Sequence, residues 1–292
     1  MRSQVTKAFE LLKGRPARVE EALELLQNTV FSFSMTVCGH REDAEDTMQD
    51  VLLKAIPYLR KFDSPTALTT WLFKVARNRC WMSRRRSKFA PREHLSLDEL
   101  MPDAAELEQL RARAATDATP EKAAMATEDS EQLQEAILKI PPAYRLIVVL
   151  HDIEELSTEE IARILNLKPG TVRVRLHRAR LHLRRELTRP TGDTERGRHR
   201  AASESSTSRR ACSRQCKKIF ANLSDYLDGV LDEELCDELE RHMRGCKPCH
   251  AFLLSLRDSI ERTHSMAPKL PDPHVGAETR AQMARRLEPA SR

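Results

Sequence analysis

The segment 157–187 constrains this chain more than any other. Ser157, with Glu160 three residues later, is a capping box that opens a helix over 158–165. Asn166-Leu167-Lys168-Pro169-Gly170 reads as a turn, and a long helix follows from Thr171. On a wheel of about 100° per residue, Val172, Leu176, Ala179, Leu183 and Leu187 form one apolar stripe. Arg173, Val174, His177, Arg178, Leu181, Arg184 and Arg185 occupy the other side. A short helix, a turn and an arginine-faced helix make a helix–turn–helix, whose second helix fits the major groove of DNA. The plainer alternative is a solvated basic face on an ordinary packing helix. Residues 168–189 hold eight Lys/Arg against the single Glu186, and such dense like charge destabilises a helix unless a polyanion screens it.

The rest of the chain repeats the helical period. Ala44, Met48, Val51, Leu52, Ala55, Ile56 and Leu59 step by three and four, within predicted helices over about 18–37, 42–60 and 66–86 with a break at Gly39. Leu133, Ile137 and Ile140 form another stripe, Pro141-Pro142 stops it, and 143–152 carries an apolar run. The expected fold class is all-α, with two helical domains joined by a flexible linker and, after them, a small cysteine-rich domain of two helical stretches. The blocks fall at 1–90, 131–188 and 212–262. Between and after them the composition predicts a flexible acidic linker 91–130 with room for helical fragments, a disordered Arg/Ser/Thr-rich linker 189–211 and a disordered tail 263–292.

Composition removes whole classes of function. The 292 residues include only 8 Gly, with no GxGxxG or GxxxxGK[ST] run, which argues against a nucleotide-binding α/β enzyme. No Ser/His/Asp or Cys/His constellation is placed for nucleophilic work, so the chain is not expected to be an enzyme. No apolar run approaches the ~20 residues that cross a bilayer, and the first residues lack a signal-peptide core, so a cytoplasmic protein without a membrane partner is expected. In a reducing compartment, seven cysteines read as thiols or metal ligands.

Charge is blocked along the chain. Residues 77–92 hold seven basic side chains and no acidic one, whereas 93–135 hold twelve acidic and three basic. Glu42, Asp43, Glu45, Asp46 and Asp50 make an acidic face opposite the Ala44/Met48/Val51/Leu52 stripe, suited to a basic partner. Arg77, Arg79, Arg84, Arg85 and Arg86 form a phosphate-tracking cluster near Trp71 and Trp81, either of which could stack on an unpaired base or sit in the core.

With these residues in view, IPPAYRLIVVLHDIEELSTEEIARILNLKPGTVRVRLHRARLHLRREL resembles region 4 of extracytoplasmic-function RNA polymerase sigma factors. HREDAEDTMQDVLLKAI and WLFKVARNRCWMSRRR resemble region 2 of the same family. The resemblance implies a factor that binds core RNA polymerase and directs promoter-specific transcription initiation. It implies that Arg173, Val174, His177 and Arg178 meet the minus-thirty-five element. Thr171, Arg175 and Arg180 complete that candidate set. It places the minus-ten element on Trp71, Arg77, Arg79, Arg84 and Arg85, and the polymerase clamp helices on Asp43, Glu45, Asp46, Gln49 and Asp50.

In the third block, His242-x3-Cys246-x2-Cys249 supplies an imidazole and two thiolates at a spacing that suits three vertices of a tetrahedral zinc site. CKKIFANLSDYLDGVLDEELCDELERHMRGCKPC resembles the zinc finger of anti-sigma factors, and that resemblance offers Cys216 as the fourth ligand of one zinc ion. Cys212 remains the alternative, and a metal-free cysteine cluster the simpler reading. Fused to a sigma-like body, the finger is expected to act on that body in cis or to meet a separate regulator. The competing readings are a helix–turn–helix regulator that works without polymerase, and a metal- or redox-sensing interaction protein.

Overall fold

The computed structural model describes residues 2–14, 18–84, 100, 126–188 and 214–287. Among them there are helices and turns but no strand, as the periodicity requires. The helices are α1 (Arg2–Lys13), α2 (Val19–Cys38), α3 (Arg41–Ala55), α4 (Pro65–Arg84), α5 (Ala126–Lys139), α6 (Pro142–Val148), α7 (Thr158–Leu165), α8 (Pro169–Thr188), α9 (Arg214–Leu227), α10 (Glu233–Gly245), α11 (Lys247–His264) and α12 (Pro273–Leu287). They divide between two compact units, one drawn from Met1–Pro91, Pro141–Val172 and Met266–Arg292, the other from Arg92–Ile140 and Arg173–Ser265.

The first unit is built around α2. Leu23, Leu26, Val30 and Phe33 are buried against α1, α3 and α4, and the Phe33 and Phe73 rings meet edge-to-face at 4.9 Å. Each such side chain taken from water contributes about 1.5–3 kcal/mol. Gly39 ends α2 at φ 80, a left-handed turn that a Cβ would disfavour, and its N–H reaches Met35 O at 2.9 Å. The α1 helix, which periodicity did not single out, joins this core through Val5, Ala8 and Leu12.

Residues 141–165 belong to the same unit. Arg145, 1% exposed, donates from Nη1 to Val37 O at 3.0 Å and satisfies a carbonyl that the end of α2 leaves open. Arg77 Nη1 likewise donates to Ile164 O at 3.0 Å at the end of α7. Ser157 and Glu160 form the expected capping box, with Glu160 N–H on Ser157 Oγ at 3.2 Å and Ser157 N–H on Glu160 Oε2 at 2.9 Å.

Three expectations need correction. The tail 263–292 is not disordered throughout: α11 runs to His264 and α12 occupies Pro273–Leu287. That helix has too few apolar positions to stand alone and forms by burying Met283, with Pro271 buried just before it, as it packs on α2. The cysteine-rich block contains three helices rather than two. The acidic linker ends earlier than residue 130, because α5 begins at Ala126. Except for Leu100, residues 91–125 lie outside the described residues, as does the linker 189–211.

Candidate nucleic-acid interface and metal centre

The second unit brings the arginine-rich helix and the cysteine-rich helices onto one core. Leu181 of α8 is buried together with Ile219, Phe220 and Leu223 of α9, Leu239 and Met243 of α10, and Phe252 and Leu256 of α11. Phe220 and Phe252 stack edge-to-face at 4.7 Å, and the Arg184 guanidinium lies 3.8 Å from the centre of the Phe252 ring. Arg184 also donates from Nε to Ser255 Oγ at 2.6 Å.

The face of α8 read as solvent-exposed is therefore split. Arg173 is exposed, Val174 is 57% exposed, and Thr171, Arg175 and Arg178 are half-buried. His177, Arg180, Leu181 and Arg184 are buried. The correction has a physical cause: the last turn of α9 and the residue that follows it supply polar partners to basic side chains that would otherwise need water. Arg180, 1% exposed, makes a bidentate pair with Asp228, Nη1 to Oδ2 and Nη2 to Oδ1, each at 2.8 Å. His177 Nδ1 lies 3.0 Å from Ser224 Oγ. Burial, then the Arg180 and Arg178 charges, lower the His177 imidazole from 6.5 to about 4, so it is neutral at pH 7. Asp225 stands close enough to Arg173 to feel its charge, though burial outweighs that pull and raises its carboxyl.

Sequence reasoning missed Ser224, Asp225 and Asp228 as partners of α8. A signal was present in Leu181, an apolar residue in the middle of a basic face, which a groove-facing helix would not need and a packed one does.

In the first unit the predicted residues are also partly engaged. Arg79 Nε pairs with Asp50 Oδ2 at 2.9 Å, which joins a candidate DNA contact to a candidate polymerase contact. Glu45 accepts from Arg41 Nε at 3.0 Å. Asp46 is exposed, while Asp43 and Gln49 are half-buried. Trp71 is half-buried beside Phe62 and Tyr58, with ring centroids 5.9 and 6.3 Å away. Arg84 ends α4, and Arg85 and Cys212 lie outside the described residues.

The four candidate metal ligands converge. One donor atom from each of Cys216, His242, Cys246 and Cys249 lies within 4.8 Å of all the others. His242 Nε2 is 3.3 Å from Cys249 Sγ and 3.7 Å from Cys216 Sγ. Tetrahedral zinc, with Zn–S of about 2.3 Å, holds its ligand atoms about 3.8 Å apart, so the spacing fits. The local chain explains the convergence, since Cys246 ends α10 and begins α11 and the buried Cys216 lies in the first turn of α9. Burial and the neighbouring Cys246 and Cys216 sulfurs push the Cys249 thiol upward, a penalty on thiolate that a divalent cation would reverse.

Comparison with known proteins agrees with this geometry. Residues 22–89 match the sigma-70 region 2 family, 130–183 match sigma-70 region 4, and 216–250 match a zinc-finger family. The chain is 31% identical over 178 residues to the ECF RNA polymerase sigma factor SigW of Bacillus subtilis, covering 61% of this chain and 93% of that one. It is 31% identical over 176 residues to ECF sigma factor SigE of Mycolicibacterium smegmatis, covering 60% of this chain and 63% of the relative. It is 28% identical over 171 residues to RNA polymerase sigma factor YlaC of Bacillus subtilis, covering 59% and 92%.

Two helical modules of these kinds define a sigma-type initiation factor, a class that recruits a catalytic polymerase rather than doing chemistry itself. This chain belongs to the extracytoplasmic-function RNA polymerase sigma factors, functions in promoter-directed transcription initiation, and carries a zinc-finger extension. No described helix is long and apolar enough to cross a membrane.

Proposed function

We propose that this sigma factor is held back by its own C-terminal finger, which covers the promoter-reading face of α8. The observation that carries this reading is the Arg180–Asp228 fork: a side chain suited to phosphate or guanine is 1% exposed and fully occupied by a carboxylate of the finger. In the open form, Thr171, Arg173, Val174, Arg175, His177, Arg178 and Arg180 read the minus-thirty-five groove. Trp71, Arg77, Arg79, Arg84 and Arg85 hold the melted minus-ten strand. Asp43, Glu45, Asp46, Gln49 and Asp50 dock on the clamp helices of core polymerase, a role that an independent repressor would not require. The work is done in the cytoplasm, where the polymerase is.

Cys216, His242, Cys246 and Cys249 hold one zinc ion. When bound, the ion supplies a structural cross-link between α9, α10 and α11. The protein's own residues do the rest: Cys216 and Cys249 anchor the ligand cluster in the core that also holds Leu181, so the shape of the finger and its grip on α8 are coupled.

The test is deletion of residues 205–292, followed by promoter-specific run-off transcription with core polymerase. Higher output from the shortened chain is expected, with the full chain approaching it after chelation. Equal output from both chains, with or without chelator, would overturn the reading.

A further inference from the structure

One leucine of the acidic linker is anchored far from water. Leu100 is 1% exposed and belongs to the core that holds Leu181 of α8, Phe220 and Leu223 of α9, and Phe252 and Leu256 of α11. Around it, residues 93–110 carry Glu93, Asp98, Glu99, Asp103, Glu106 and Glu108 and no Lys or Arg. So acidic a stretch lacks the apolar surface to order itself, so Leu100 is held by the core it enters. The charge suits the site, because α8 carries Arg173, Arg175, Arg178 and Arg185 on the same helix as Leu181.

The anchor shortens the tether between the two DNA-reading modules. Only 16 positions separate Arg84, at the end of α4, from Leu100, whereas 42 separate Arg84 from Ala126, where α5 begins. Sixteen residues reach at most about 55 Å in any conformation, and about 20–24 Å as a relaxed coil. The minus-ten and minus-thirty-five elements lie about 25 base pairs apart, which is about 85 Å of B-DNA. With Leu100 seated, α4 and α8 cannot comfortably serve both elements. With Leu100 released, the 42 positions to α5 reach up to about 140 Å.

We propose that Leu100 is a latch: the core shared by α8 and the finger is a docking site for the acidic linker segment around Leu100, and a promoter gripped at both elements draws that leucine out and loosens the finger. This deepens the reading that the finger covers α8, and rests on it. A minus-thirty-five duplex alone exerts no such pull, because region 2 is then free to follow. Release of the finger is thereby tied to a complete promoter.

Two kinds of variant test the latch. Leu100→Ala is expected to raise the affinity of the full chain for a minus-thirty-five duplex about tenfold. It should change nothing in the chain lacking 205–292, which has no finger core to lose. The second kind keeps every core residue: about 20 Gly/Ser residues are inserted either between Pro91 and Arg92, ahead of the latch, or between Leu110 and Arg111, behind it. Run-off transcription with core polymerase on a promoter carrying both elements is read relative to the same insertion in the chain lacking 205–292. Slack ahead of Leu100 should lower relative output several-fold, because the finger then stays seated, whereas slack behind it should not. Unchanged duplex affinity in Leu100→Ala, an equal rise in the shortened chain, or equal relative output from the two insertions would overturn the proposal. If removing 205–292 itself fails to raise duplex affinity, the cover over α8 is wrong and the latch falls with it, a result distinct from failure of Leu100 alone.

Discussion

Asp228→Asn is the sharpest perturbation of the covered helix. The substitution keeps the volume and one acceptor but removes the charge opposite Arg180, which is 1% exposed and bonded through both terminal nitrogens. Breaking one side of a fully buried ion pair costs about 3–5 kcal/mol, because the remaining charge is left without compensation. Asp228 is 20% exposed and Asn still accepts one hydrogen bond, so about 2 kcal/mol is the reasoned figure. A ligand that binds only the uncovered form gains affinity in proportion to that form's population, so about 2 kcal/mol corresponds to about 30-fold. The assay is fluorescence anisotropy of a labelled minus-thirty-five duplex with the full-length chain, at fixed salt because phosphate contacts are screened by ions. Glu238→Gln changes net charge by the same amount at an exposed pair with Lys218 and serves as the control. The expected result is a rise of about 30-fold for Asp228→Asn and little change for the control. Equal affinities in all three proteins, or an equal rise in both variants, would refute the reasoning.

Acidification provides a second test: His177 sits at about 4 when covered against 6.5 ordinarily, so the covered form binds fewer protons between these values and loses stability as pH falls through that window, by about 1.4 kcal/mol per unit. Protection factors of the 214–228 amides, corrected for the pH dependence of intrinsic exchange, should fall between pH 7 and 5 in the native chain, with a flatter response in His177→Gln. Glu154 has the opposite sign: burial raises its carboxyl to about 8 and neither oxygen has a partner, so the first unit loses stability as pH rises from 4.5 to 8. Glu154→Gln should remove that slope, read as the pH dependence of protection factors at the 142–165 amides. Stripping metal with a chelator under reducing conditions should loosen the 216–256 core and raise duplex affinity, and unchanged affinity with the metal gone would count against the coupling.

Much of this was legible in the sequence, and the limits follow one pattern. The capping box at Ser157 and Glu160 was readable because its bonds are local, closing within three residues. The convergence of His242, Cys246 and Cys249 was readable from their spacing around a helix end, although Cys216 needed the resemblance, since it lies 26 positions from His242. The basic face of α8 was readable as composition but not as exposure. Whether Arg180 meets water or Asp228 depends on a partner 48 positions away, which no helical wheel contains. The α12 helix was missed for the same reason: its order comes from Gln27 and Ser32, more than 230 positions earlier. Residues 263–292 contain few apolar side chains, so a rule based on local hydrophobic content assigns them to disorder.

Covering a DNA-reading helix with carboxylates has a thermodynamic consequence beyond occlusion. On the proposed reading, Arg180 cannot fork onto Asp228 and onto a phosphate at once, so finger and promoter would compete for the same nitrogens, and that competition would be reciprocal. Whatever factor the intact finger costs in duplex affinity, bound duplex must impose on the finger's grip on α8. Because Leu181 lies in the same core as Cys216 and Cys249, that loosening reaches the ligand cluster as well. A promoter-bound chain should therefore release its metal more readily than a free one, and by the same factor as metal removal raises duplex affinity. A finger that merely hung beside α8 on the 189–211 linker would give no such equality. The two factors would then be independent, and measuring both on one preparation separates a competitive cover from a passive neighbour.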